Sequence, residues 1–409
     1  MNVLFGHPTG NPNSHHAALA HLEAQRLEAF VVPWMPTRKE LGLLKLVPRL
    51  GKAVGRLERR CFPPLLGAPR IEGRCGEWGR MFRRVVTPNG ADERLSYQAN
   101  DWLMQTMKRE CRRPSVSAVH SYEDCSLWQF EEAKRLGKLC VYDMPIGYYP
   151  AWEAKQRHLA RKYVEWLPPG GIPSSRYVRP EQKKREMELA DLVLAPSTFV
   201  METIRQFNPY KKSALAMYGV DSEFWTPSET PRAERSLVFI YAGQISIRKG
   251  SPVLLEAWRR AGLKDAQLNL VGQWALAPEV KSALPPGVRV IGPCAREELR
   301  RHYQAADVFV FPSFFEGFGL VILEALACGL PVIATEATAG PDILDEQTGH
   351  VVTAGRVEEL AETLRWYETN RDRLPTMRRA ARLRAEYFTW KRYRCGVRAA
   401  VAPSMEETK

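Results

Sequence analysis

No two of the eight cysteines form a CxxC pair, and none joins a histidine at zinc-ligand spacing. That excludes a metal knot and a disulfide framework, and a reducing compartment fits best. Long apolar runs are also missing. The longest, Leu320 to Ala334, is broken by Glu324, Gly329 and Pro331, short of the roughly 20 apolar residues that a membrane span needs. The first residues, MNVLFGHPTG, run straight into an apolar strand pattern without a basic stretch ahead of an apolar one, so no secretion signal is expected. Internal repeats and low-complexity segments are absent as well. What remains is ordinary for a packed protein: 45% apolar and 26% charged residues over 409 positions, long enough for two domains.

The charge is unevenly spread. Of a formal +13, the stretch Lys45 to Arg84 carries eleven Lys/Arg against Glu58, Glu72 and Glu77. Within it, LGLLKLVPRLGKAVGRLERRCF sets Leu and Val among Lys and Arg at helical spacing. Residues 41–84 can therefore be read as a helical surface for an anionic membrane. The alternative is a solvated basic face with its leucines packed inward. Nucleic acid is not expected, because no recognition motif or aromatic-basic strand pattern accompanies the charge.

Residues 237–352 alternate short apolar strands (LVFIYAG, QLNLVG, VRVIG, DVFVFP, PVIAT, GHVV) with helical segments. This is the pattern of a parallel sheet wound with helices. Such sheets bind ligands at the carboxyl ends of their strands. The N-terminal half repeats the theme with NVLF, FVVPW, VSAVH, KLCVYDMP and DLVLAPS, and 35–115 reads as a basic insertion of helices and loops. The polar, proline-bearing TPSETPRAER is a linker. The expected domains are 1–228, 229–385 and a helical tail, 386–409.

The chemistry concentrates in two stretches. In FPSFFEGFGLVILEALACGLPVI a strand, a loop and a helix follow one another. Gly317 and Gly319 let the backbone approach a ligand. The helix from Leu320 aims unpaired N–H groups at an anion, most naturally a phosphate. Glu316 in the loop and Glu324 in the helix can accept hydrogen bonds from hydroxyls on either side, so a ribose and a hexose flanking a diphosphate fit. In AGQISIRKGSPVLLEAW, Arg248 and Lys249 stand before a helix opened by Ser251 and Pro252, where two cations hold a diphosphate and stabilise the charge that develops as it leaves. The bland alternatives are a solvated loop carboxylate, a helix carboxylate paired with a base, and solvated loop cations.

Glu316 and Glu324, with seven residues between them inside EGFGLVILEALACGLPVI, resemble the paired glutamates of glycosyltransferase family 4, and AGQISIRKG resembles that family's glycine-arginine loop. The family's arginine falls on Gln244, a departure for which Arg248 is expected to compensate. The resemblance implies a GT-B fold: two α/β Rossmann-like domains facing a cleft, with a C-terminal helix crossing back to the N-terminal one. It implies a nucleotide sugar held by Gly243, Gln244, Arg248, Lys249, Glu316, Gly317, Phe318, Gly319, Leu320 and Glu324. Arg248, Lys249, Glu316 and a strand-end histidine, His120, are the implied catalytic groups. His120 can equally be structural. The reaction would retain the anomeric configuration without a metal, since no DxD-like motif lies near the donor site, and without a cofactor beyond the donor.

The acceptor is expected to be a saccharide or a lipid-linked saccharide, met by Asn13, His15 and His16 after the first strand. The aromatic residues of VYDMPIGYY through Trp152 either stack on sugar or pack in the core. The expected setting is the cytoplasm or the inner face of its membrane. A nucleotide-sugar epimerase of the same fold, and a relative that binds without transfer, stay open as alternatives.

Overall fold

The computed structural model describes residues 2–46, 55, 57–79, 92–169, 171, 179–229 and 236–406. Two parallel sheets organise them. The first contains β1 (Asn2–Gly6), β2 (Leu27–Val32), β3 (Arg70–Glu72), β4 (Val116–Tyr122), β5 (Leu139–Asp143), β6 (Leu192–Ala195) and β7 (Ser213–Leu215), in the order β3-β2-β1-β4-β5-β6-β7. The second contains β8 (Leu237–Ala242), β9 (Ala266–Val271), β10 (Val288–Gly292), β11 (Val308–Phe311), β12 (Val332–Thr335) and β13 (Gly349–Val352), in the order β10-β9-β8-β11-β12-β13. Both begin 3-2-1-4, the doubly wound order whose direction reverses between the first and fourth strands and leaves a crevice there. β8, β11 and β12 are buried along their whole length, as expected of strands covered by helices on both faces.

The helices that matter to the site are α1 (Pro12–Glu23), α2 (Arg38–Lys45), α3 (Asp92–Glu110), α4 (Tyr149–Lys162), α5 (Ser251–Ala261), α6 (Leu320–Ala327), α7 (Leu374–Tyr387) and α8 (Trp390–Glu406). The segment 35–115, expected as helices and loops, also carries a strand of the sheet. β3 pairs in parallel with β2, and α3 packs on β1 and β2, so this segment completes the sheet. Its strand is three residues long with two charges, too short and polar to show an alternating pattern.

The tail was expected as one helical stretch. It is two helices, broken at Phe388 and Thr389, where Val220 N donates to Phe388 O and pairs with Thr389 as an isolated bridge. α7 packs on α6, while α8 packs on α1, β5, β6 and β7. The crossing back thus starts at 388–389. Part of the expected linker, 230–235, lies outside the described residues.

Many arginines serve this architecture. Arg382 donates to the carbonyls of Ser222, Trp225 and Ala327, the last at the end of α6. Arg378 pairs with Asp307. In the basic stretch, four of the five described cations, Lys45, Arg60, Arg70 and Arg74, face carboxylates. Leu41 and Leu44 of α2 are buried with Trp34 and Leu57, whereas Leu43 and Leu46 are exposed. Residues 47–54, 56 and 80–84 of that stretch lie outside the described residues. No helix among the described residues is long and apolar enough to cross a membrane.

Candidate functional site: the crevice at the carboxyl ends of β8 and β11

β8 and β11 are hydrogen-bonded neighbours on either side of the switch point. Each opens into one of the two stretches singled out by sequence. The loops are laced together: Phe314 N donates to Arg248 O (2.9 Å) and Arg248 Nη1 donates to Phe315 O (2.8 Å). Gly250, with φ +76°, lies so close to Pro312 that an added Cβ would come within 1.8 Å of its carbonyl oxygen. Any side chain there would separate the loops.

Ser251 is the first residue of α5 and not its cap. Gly250 occupies the cap, and the Ser251 hydroxyl accepts from Ser246 N (3.1 Å). It therefore braces the loop, to which Ser251 N also donates at Ser246 O (3.2 Å).

Lys249 and Glu316 form an ion pair, with Arg248 Nη1 3.6 Å from the same carboxylate oxygen. Lys249 Nζ also lies 4.9 Å from the centroid of the Phe311 ring. Burial pulls the Lys249 ammonium below the ordinary lysine range, and the Glu316 carboxylate opposes it. Two cations thus share one anion, a net positive spot ready for a second.

α6 begins beside them, capped by the backbone of Gly319 without a side-chain cap, so its first N–H groups stay available. Glu324, one turn inside α6, makes no side-chain hydrogen bond or ion pair among the described residues. Burial pushes its carboxyl up to about 7, with Arg296 pulling the other way. Arg296 was not anticipated. Its guanidinium sits 4.0 Å from the Phe224 ring centroid and 3.6 Å from Asp221.

Gly243, Gln244, Arg248, Lys249, Glu316, Gly317, Phe318, Gly319, Leu320 and Glu324 thus lie along one set of strand ends. Gln244 is exposed, and among the described residues its carbonyl is engaged by the Tyr241 hydroxyl (2.6 Å). Phe318 is buried against Tyr218.

The opposite wall comes from the N-terminal sheet. An added Cβ on Gly317 would stand 1.7 Å from Pro145 O, and Ser197 Oγ donates to Gly317 O. Phe315 is packed by Trp152 and Phe199, and Tyr148 by Tyr149 and Phe207. The aromatic residues after β5 are therefore engaged with protein rings.

His120 is not brought to the cations. It is wholly buried inside β4, with Nδ1 2.9 Å from His21 Nε2 and Nε2 3.7 Å from Asp143 Oδ2. His15 stacks on Phe62, and His16 stacks on Trp390 with Arg394 at 3.1 Å. Asn13 is in the first turn of α1, whose cap is Asn11 with Ser14 in a reciprocal pair. Burial holds His7, His16 and His120 down to about 3 and His15 to about 4. Asp143, also missed by sequence reasoning, is pushed up to about 7 by burial, against the opposing pull of the nearby Tyr122 hydroxyl. Its place at the end of a buried strand, in VYDMP, was the available signal. Among the described residues no group of His, Cys, Asp and Glu could hold a metal ion.

Residues 236–370, the sheet that carries both loops, match the family Glycosyl transferases group 1. The fold is GT-B. Sucrose-phosphate synthase from Thermosynechococcus elongatus superimposes with a TM-score of 0.65 over 100% of both chains at 17% identity. Anabaena HepE in complex with UDP-glucose does so with 0.60, over 98% of this chain and 100% of that one, at 16% identity.

Among curated relatives, the sulfoquinovosyl transferase SQD2 of Arabidopsis thaliana is 31% identical over 219 residues, 49% of this chain and 42% of that protein. A D-inositol 3-phosphate glycosyltransferase of Arthrobacter sp. (strain FB24) is 31% identical over 242 residues, 52% and 57%. The chain spans about half the length of the curated relatives it matches. The group 1 segment is where the Glu316 and Glu324 pair and the Arg248–Lys249 loop lie.

Proposed function

We propose that this protein is a retaining, metal-independent glycosyltransferase of family 4 that moves a hexose from a nucleoside diphosphate sugar to a saccharide or lipid-linked acceptor, in glycan or polysaccharide synthesis. The observation that carries this reading is the convergence of Arg248, Lys249 and the open N-terminus of α6 on one crevice, with Glu316 and Glu324 to either side. The diphosphate would rest on the cations and helix amides. Ribose hydroxyls would donate to Glu324, and sugar hydroxyls to Glu316 once the diphosphate takes over Lys249.

In the reaction the bond from the anomeric carbon to the diphosphate oxygen breaks and the acceptor oxygen bonds on the same face. The acceptor proton passes to the departing diphosphate. No carboxylate pair is needed as acid and base; catalysis comes from positioning and from charge stabilisation by Lys249 and Arg248. UDP-glucose in the HepE structure and the transfer named for SQD2 and the inositol-phosphate enzyme support this reading.

His120 and its neighbours would orient the acceptor side through buried hydrogen bonds. The exposed Leu43 and Leu46 support contact of 41–84 with an anionic membrane at the cytoplasmic face. Co-sedimentation with phosphatidylglycerol vesicles over neutral ones tests that contact, and equal partition removes it.

The deciding experiment is thermal unfolding against a panel of nucleoside diphosphates and their sugars, in wild type and Glu324→Ala. A ligand at ~100 times its Kd stabilises by about 2.7 kcal/mol. The expected result is one nucleotide that stabilises wild type but not the variant, followed by product formation with that donor. A panel without a hit sinks the donor site. Donor consumption without transfer would instead indicate the epimerase.

A further inference from the structure

On the seam between the domains, behind the donor loop, lies a basic concavity of about 140 Å³, lined by Lys155, His158, Leu159 and Lys162 of α4, by Phe314, and by Thr353 to Arg356 after β13. Lys155, His158 and Lys162 stand at i, i+3 and i+7, one face of the helix. Arg356 approaches from the other domain. No carboxylate lines the concavity, and among the described residues none of these four side chains has a carboxylate partner. Two acids that reach this loop are committed to its backbone: Glu336 accepts from Ala354 N and Glu359 from Thr353 N. Lys162 also answers the dipole at the end of α4. Lys155, at mid-helix, and Arg356 have no such role.

The floor is a buried ring. Phe314 contacts Tyr163 and lies so close to Gly355 that an added Cβ would come within 2.9 Å. Phe314 N is bonded to Arg248 O, and Glu316 is two residues on. A group seated here therefore rests on the back of the donor loop.

We infer that this seam binds a phosphate group, either free phosphate or the phosphate of a small phosphorylated sugar, and that its occupancy holds the two domains together. Like charges brought up from both sides repel across an empty seam, and a dianion between them turns that repulsion into a bridge. Arg356 supplies the planar fork suited to phosphate oxygens, and the lysines supply point charges. This goes beyond sugar transfer and stands whether or not the transferase reading holds.

The test is thermal unfolding of the full chain with inorganic phosphate or glucose 6-phosphate as probe. Both arms use wild type, Lys155→Ala/Arg356→Ala, Lys249→Ala, and a charge-matched control, Lys281→Ala/Arg289→Ala, whose Arg289 lies on β10 at the opposite edge of the same sheet. The four seam and control residues are exposed, so the ligand-free Tm should not move. If it does, Lys155→Gln/Arg356→Gln replaces the seam variant.

The expected result is a rise in Tm that is at least halved in the seam variant and kept in Lys249→Ala and in the control. An equal response to both probes assigns free phosphate; a response to glucose 6-phosphate alone assigns a phosphorylated sugar. The inference is overturned if neither probe stabilises wild type, if the seam variant responds fully, or if Lys249→Ala or the control abolishes the response.

Discussion

The two sheets share a strand order but furnish their crevices differently. Under the switch point of the C-terminal sheet lie fixed charges: Arg248, Lys249, Glu316 and Glu324. Under that of the N-terminal sheet lie His7, His15, His16, His21, His120, Asp143 and Tyr122, all buried except the half-buried His16, and most held neutral by that burial. One backbone plan thus makes a site for an anion on one side and a site of neutral hydrogen-bonding groups on the other. The difference comes from which residue types stand at strand ends, since fold alone does not fix chemistry.

The largest effect should come from the charged side. Lys249→Ala is expected to lower kcat on the order of 10²–10³-fold, as for loss of one group that stabilises developing charge, with circular dichroism unchanged. A drop below tenfold would place the charge stabilisation elsewhere. Gly317→Ala probes the meeting of the two sides. Its methyl has no room beside Pro145 O, so the walls must separate, and displacement of about 1 Å costs on the order of 10²-fold in turnover. Small-angle scattering should show a more open molecule, and an unchanged profile with full activity would contradict the close approach.

Acid should then separate the domains by stability. A histidine held to about 3 or 4 in the folded state, against 6.5 otherwise, binds fewer protons folded than unfolded. Its stabilisation is complete above 6.5 and is lost as pH falls toward the folded value. At pH 5 each such imidazole has withdrawn more than about 1 kcal/mol. Hydrogen exchange from pH 7 to 5 should therefore deprotect β1 and β4 before β8 and β11. Simultaneous loss would mean the histidines are not the weak point.

The smallest effect concerns Glu324. With its carboxyl near 7, the charged form that accepts ribose hydroxyls dominates above that pH and is lost below it. Nucleotide affinity should fall by up to about tenfold per pH unit below 7, and Glu324→Gln should flatten the dependence. A pH-independent affinity in wild type would show that ribose does not rely on this carboxylate.

The C-terminal half was legible because its strands are apolar runs closed by glycine loops, and because Glu316 and Glu324 announce themselves by spacing. β3 and β7 escaped notice, being three residues each and only half-buried. The partner of His120 is His21, 99 positions away, a separation that no local pattern reports. The same holds for the charge that Arg296 brings to bear on Glu324 from another helix. The break between α7 and α8 is imposed by Val220 pairing with Thr389, a contact invisible to a helical period that runs unbroken through both. His120 was read as a strand-end residue, but β4 runs on to Tyr122 and the layers packed above it bury the ring.

The helix α8 has one more implication, for how the protein is made. Tyr393, Val397, Val401 and Met405 are buried in the N-terminal domain, and Arg394 reaches Glu23 at 2.8 Å. The domain whose first strand leaves the ribosome earliest lacks this part of its interior until residue 406 has been synthesised. The C-terminal domain has its sheet and α7 by residue 387. Domain order in the chain and order of completion are thus reversed, and a nascent chain stalled between 387 and 390 would carry a finished donor half beside an N-terminal half with an open apolar flank, a natural client for chaperones.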